Sequence, residues 1–197
     1  MKDNKFAYNN SGWNLHMMPV GYLMIEHRLI ERMVELMAGE LQANIKKGKI
    51  DLGFIGAAID FIMTYADKCH HGKEEDILFR DLSAKKISGE HKKIMEELLK
   101  EHVMGRQTVA KLVSAKEEYA SSKTKDTAQI QKHIKWLVDF YPQHIAKEDK
   151  HFFIPCMGYF DKVQQQKMLK EFYAFDGASI QNKYRKIIQD LEKNQSF

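Results

Sequence analysis

His70-His71-Gly72-Lys73-Glu74-Glu75-Asp76-Ile77-Leu78-Phe79 has a counterpart 74 residues later, His144-Ile145-Ala146-Lys147-Glu148-Asp149-Lys150-His151-Phe152-Phe153. In both stretches a His and a Glu stand four residues apart, a spacing that stacks them on one face of a helix about 6 Å apart. Each stretch is preceded by a Glu-His pair, Glu26-His27 and Glu101-His102, offset by 75 residues, with Arg32 and Arg106 close by. The chain reads as two copies of a helical hairpin, each bringing one His and then His-x-x-x-Glu.

The surrounding sequence supports helices. Apolar residues recur at three- and four-residue spacing, while Pro, Gly and period-two alternation are scarce within long stretches. Pro19 suits the first turn of a helix that stops at Lys47-Gly48. Asp51 can cap a second helix to about Arg80, with Leu52, Gly56, Ile59, Met63, Ala66, His70, Glu74 and Ile77 on its buried seam. Ser88 can cap a third, and Asp126 with Gln129 can form a capping box for a fourth, kinked at Pro142 and ended by Pro155. The expected fold is all-α: an antiparallel up-down four-helix bundle over residues 19–157. An N-terminal arm (1–18), with Trp13 and Leu15 as anchors, precedes it. A C-terminal extension (158–197) of two further helices, divided near Asp176-Gly177, is expected to pack on the bundle or to pair two copies of it.

The 197 residues suffice for a sizeable core, and 44% hydrophobic with 29% charged residues excludes a disordered chain. No apolar run approaches the roughly 18 residues of a membrane span, and MKDNKFAYNN has no apolar signal segment. The net charge of +4 is spread among alternating signs, which argues against a nucleic-acid-binding stripe. Cys69 and Cys156 build no disulfide framework, so a reducing, cytoplasmic setting is expected, with Cys69 a packing residue.

Four imidazoles and two carboxylates on core-facing seams would be costly to bury unless they are paired or bind metal. Carboxylates can bridge two cations while imidazoles supply terminal nitrogen, a donor set that suits iron or manganese on facing helices better than zinc.

Taken together, Glu26-His27, His70 to Phe79, Glu101-His102 and His144 to Glu148 resemble the hemerythrin-like, or HHE cation-binding, domain over roughly residues 19–157. That resemblance implies a four-helix bundle with two iron ions bridged by carboxylates and by an oxo or hydroxo group. It implies His27, His70, His102 and His144 as terminal ligands and Glu74 and Glu148 as bridges. Oxygen-carrying members use five histidines, two of them four apart on the third helix. Here Leu98 and Arg106 occupy the positions four away from His102, so that helix does not supply the fifth. The iron-sulfur repair proteins of the family carry a cysteine-bearing N-terminal domain, and this arm has no Cys.

Five further residues are candidates for the surroundings of the site. His71 and Glu75 are rotated about 100° from His70 and Glu74 and are expected to flank it. His91 is the register alternative to His102, His151 stands at the mouth, and Tyr141 is either a core residue or a hydrogen-bond donor to a bound oxygen species. His16 and His133 belong to no constellation. The expected function is binding of, or reaction with, a small oxidant (O2, peroxide or NO). The alternatives are a metal-sensing interaction module that acts through the C-terminal helices, and a bundle with a structural metal.

Overall fold

Pro19 opens the first helix, α1 (Pro19–Lys47), at the position where its missing N–H costs no hydrogen bond. Gly48 ends it with a left-handed φ of 66°, returning its N–H to the Asn44 carbonyl at 2.8 Å. Asp51 then caps the next rod, its Oδ1 accepting from the N–H groups of Gly53 (2.8 Å) and Phe54 (3.0 Å). That rod, α2, runs over residues 52–83. It is α-helical over Leu52–Asp60, π-helical over Phe61–His71 and Glu74–Phe79, and α-helical again over Arg80–Ser83. Ser88 caps α3 (Gly89–Ser121) by accepting from the His91 N–H. The fourth rod, α4, spans residues 128–156 as an α-helix (Ala128–Lys147), a π-helical turn (Glu148–Phe152) and a last α-helical turn (Phe153–Cys156). A 3-10 turn, Met157–Tyr159, leads to α5 (Lys162–Asn194). This computed structural model describes residues 18–123 and 126–194, with no strand among them and no helix long and apolar enough to cross a membrane.

The first four rods close into a ring in which α1 packs on α4, α4 on α3, α3 on α2 and α2 on α1. Neighbours run in opposite directions. His27, near the start of α1, meets His70 and Glu148, near the ends of α2 and α4, while Ile50, just before α2, donates its N–H to Tyr119 near the end of α3. Two apolar clusters fill the ring. One contains Leu29, Met33, Phe61, Leu112, Ile134 and Leu137. The other contains Val20, Leu23, Leu78, Leu98, Phe152 and Phe153. On all four rods the repeated His and Glu residues fall between these clusters, so the polar layer is closed off from both ends of the bundle.

Three expectations need correction. Asp176-Gly177 does not divide the C-terminal region, because α5 is one continuous helix. Asp176 is buried inside it and ion-paired to Lys73, so its side chain is engaged across helices instead of breaking its own. Met63 is 45% exposed, whereas Phe61, Ile62 and Tyr65 are buried. The π-helical stretch takes one more residue per turn (i→i+5), which rotates the buried face away from a 3.6-residue seam. Helix α4 begins one residue later than the proposed capping box, with Thr127 at the cap and Asp126 accepting from the Ala128 N–H. The α-helical part of α4 continues through the exposed Pro142. Of the arm, residues 1–17, with Trp13, Leu15 and His16, lie outside the described residues.

Helix α5 lies outside the ring against α1 and α2. It inserts Phe172 into one apolar cluster and Tyr184 and Ile188 into the other, and the Tyr184 hydroxyl donates to Asp60 at 2.9 Å. Truncating Phe172 to Ala should therefore destabilise the protein by about 3–5 kcal/mol in urea denaturation. Val163→Ala, at a solvent-facing position of the same helix, should change stability by no more than about 0.5 kcal/mol. Equal small effects would show that α5 is not part of the cooperative unit.

Candidate metal centre

Each of the four repeat histidines has one ring nitrogen tied to a carboxylate from a neighbouring helix. His27 Nδ1 donates to Asp149 (2.7 Å), His70 Nδ1 to Glu26 (2.9 Å), His102 Nδ1 to Glu75 (2.6 Å) and His144 Nδ1 to Glu101 (2.8 Å). A carboxylate accepts, so Nδ1 carries the proton and the Nε2 lone pair points the other way, into the bundle. These carboxylates are anchored in turn by cations: Asp149 by Arg28, Glu75 by Arg106 (2.7 Å), Glu101 by Lys147 (2.5 Å) and Glu26 by Lys73 (2.7 Å). The pattern follows the internal repeat, since Glu26, Lys73 and Glu75 correspond to Glu101, Lys147 and Asp149.

Inside this ring lie Glu74 and Glu148, both fully buried. Glu74 Oε1 is 3.2 Å from His70 Nε2 and its Oε2 is 3.3 Å from His102 Nε2. Glu148 Oε2 is 3.2 Å from His27 Nε2 and its Oε1 is 3.4 Å from His144 Nε2. Each carboxylate thus faces a different histidine with each of its oxygens. Donor atoms of His27, His70, Glu74 and Glu148 lie within 4.8 Å of one another, and those of His71, His102 and His144 form a second such group.

A cation fits this arrangement. All four Glu oxygens and the Nε2 atoms of His102 and His144 are buried without a hydrogen bond. The Nε2 atoms of His27 and His70 face each other across 2.9 Å, a contact that needs a positive charge between them, a proton in the free protein or a cation in its place. Two ligands at right angles on one ion, with bonds of about 2.1 Å, lie about 3 Å apart, close to these separations. Titration behaviour shows the same attraction for positive charge. Burial lowers His70, but Glu74 and Glu26 overcome it and push it up to about 10. Burial likewise lowers His102, yet the facing Glu148 carboxylate and the hydrogen bond to Glu75 raise it to about 9. Glu148 is held well below the usual carboxylate range, because the surrounding histidines outweigh its burial.

His71 is where structure and spacing part. It is buried, stacks on His102 with ring centroids 3.9 Å apart, and stands edge-on to His144 at 5.6 Å. Its ring contributes to the second donor group. Burial, then the charges of His102 and His144, holds it well below its ordinary pKa, so it is a neutral imidazole. A π-helical rod brings two consecutive residues, His70 and His71, to the interior.

The other candidates lie elsewhere. Glu75 touches the site through His102. His91 pairs through Nδ1 with the Tyr159 hydroxyl (2.8 Å), which itself accepts from the Ser88 N–H, so it secures the start of α3 and belongs to neither donor group. His151 is exposed and in neither group. Tyr141 is buried one turn before His144 and forms no hydrogen bond among the described residues. Sequence reasoning gave no role to Glu26, Glu101, Asp149, Lys73 or Lys147. Their matched offsets were the available signal.

His71→Ala and His144→Ala should each lower the bound metal below the wild-type stoichiometry, while His133→Ala should leave it unchanged. Glu75→Gln should weaken metal affinity by about 10- to 100-fold without removing a ligand. Elemental analysis and competitive chelation measure both, and unchanged metal in His71→Ala would remove it from the donor set.

No curated protein and no solved structure matches the chain. The family model of the hemerythrin HHE cation-binding domain matches residues 18–154, the span that contains every residue of the two donor groups. The chain belongs to the hemerythrin HHE cation-binding family.

Proposed function

We propose that the protein binds two iron ions and reacts with a small oxidant such as O2, peroxide or NO. The observation that carries this reading is the division of each buried carboxylate, Glu74 and Glu148, between two histidines that face it from opposite sides. Such carboxylates suit a shared position between two cations. One would be held by His27 and His70, the other by His71, His102 and His144, with manganese or zinc as competing occupants. A ferrous pair, when bound, supplies one electron from each ion to the oxidant.

The chain's own residues do the rest. Four Nδ1–H to carboxylate bonds fix the rings, so that the donor nitrogens need no reorganisation as charge changes. The apolar clusters on either side of the polar layer, including Phe79, Phe152 and Phe153 beside it, limit water. Anaerobic loading with ferrous iron should give two irons per chain, and exposure to O2 should then produce a near-ultraviolet to visible charge-transfer band. Two bound irons without such a band would remove the oxidant reaction. Tight zinc retention with no reactivity would favour a structural metal.

One observation favours sensing as a second reading. Lys73, fully buried, bridges Glu26, which holds His70, to Asp176 of α5, and Gln181 of α5 donates to both carboxylates (2.5 and 3.0 Å). A change at His70 therefore has a continuous polar route to α5. Protease cleavage beyond residue 158 should be faster in the metal-free protein than in the loaded one. Equal rates would leave α5 outside the response.

A further inference from the structure

A cavity of about 310 Å³ lies between α2 and α3, on the His71 side of the metal centre. Ile62, Met63, Val109 and Val113 form apolar walls, and His71 and Tyr141, both buried, lie at its inner end. Exposed Met63, Arg106 and Ala110 mark its outer side. The volume is at the lower end for small-molecule sites and about twice that of an engineered cavity that holds benzene.

Gly105 keeps this space open. It lies mid-helix in α3, where glycine costs about 1 kcal/mol relative to alanine. Neither conformation nor crowding requires it: its φ is not positive, and an added Cβ would meet only Phe140, at an ordinary 3.8 Å. The internal repeat supplies a comparison. The position equivalent to Gly105 in the first half is Ile30, a buried core residue, so a side chain occupies that place in one half and none does in the other.

Tyr141 points to the chemistry of an occupant. It is 2% exposed, lines the cavity, and its hydroxyl has no hydrogen-bond partner among the described residues. The hydroxyl opens onto the cavity, where an acceptor on a ligand would take the place of solvent as its partner. The charges at the rim neutralise one another, Arg106 Nε donating to Asp67 at 2.7 Å, so nothing there selects a charged molecule.

We propose that this cavity binds a compact, neutral, mainly apolar organic molecule of about ten non-hydrogen atoms whose single hydrogen-bond acceptor pairs with the Tyr141 hydroxyl beside His71. The placement of this molecule next to a metal rests on the two-cation reading above, whereas the pocket itself does not.

Acetophenone has an acceptor, and ethylbenzene has nearly the same shape without one. Titration of each into the full chain, with and without iron, by calorimetry and by chemical-shift changes, tests the assignment. Saturable one-to-one binding of acetophenone is expected, with shifts at Gly105 and Val109. Gly105→Leu should weaken both probes at least tenfold while two irons remain bound. Tyr141→Phe should weaken acetophenone about three- to tenfold and leave ethylbenzene unchanged. Should Gly105→Leu fail to fold, Ala110→Phe blocks the cavity from its exposed side and is read the same way. The pocket is overturned if neither probe saturates or if the filled variants bind as the wild type does, and equal losses of both probes in Tyr141→Phe would overturn the acceptor assignment. Probe binding in a protein that takes up no iron on anaerobic loading would overturn the metal reading and leave the pocket; iron uptake with no probe binding does the reverse.

Discussion

Buried imidazole and carboxylate groups must be compensated, and in this protein that requirement sets the position of every nearby side chain. Removing a charge from water costs several kcal/mol unless a partner replaces the lost solvation. Glu74 and Glu148 are wholly buried and form no hydrogen bond with the protein, so their compensation within the chain comes from the facing histidines, and a cation between them would complete it. The histidines can serve only if Nε2 points inward. That orientation is imposed by Asp149, Glu26, Glu75 and Glu101 at Nδ1, and those four are restrained by Arg28, Lys73, Arg106 and Lys147. Cation, carboxylate and imidazole thus follow one another inward to Glu74 and Glu148.

Much of this was legible in the sequence because it depends on local spacing. The caps at Asp51 and Ser88, the stop at Gly48 and the pairing of His70 with Glu74 and His144 with Glu148 all follow from contacts within a few residues. The resemblance to the HHE family rests on the same motifs, and the family match covers them. What escaped depends on helix winding and on distant elements. A 3.6-residue seam cannot foresee that residues 61–71 wind as a π-helix, so it places Met63 on the buried seam and His71 about 100° away from it. It also read Asp176-Gly177 as a break, because the partner that makes a buried Asp tolerable, Lys73, is 103 residues away.

The internal repeat is broken in chemically consequential places. Lys73 and Lys147 play the same part toward Glu26 and Glu101, but α5 covers Lys73 completely and adds Asp176, whereas Lys147 stays part-exposed beside Glu97. One half of the centre is therefore tied to the C-terminal helix and the other to the surface. The asymmetry extends to the donors, since the counterpart of His71 in the second repeat is Ile145, a buried core residue.

That difference makes the two donor groups unequal. The group around His27 and His70 has two imidazoles and shares both carboxylates, while the group around His102 and His144 gains a third imidazole from His71. Glu74 and Glu148 face both groups equally, so His71 adds a neutral donor to one side without adding negative charge there. The open volume also lies on one side only, kept by Gly105 where the other half places Ile30. A duplicated hairpin would by itself give two equivalent half-sites. Two apolar-to-functional differences, Ile145 against His71 and Ile30 against Gly105, make one side richer in donors and give that same side room for a ligand.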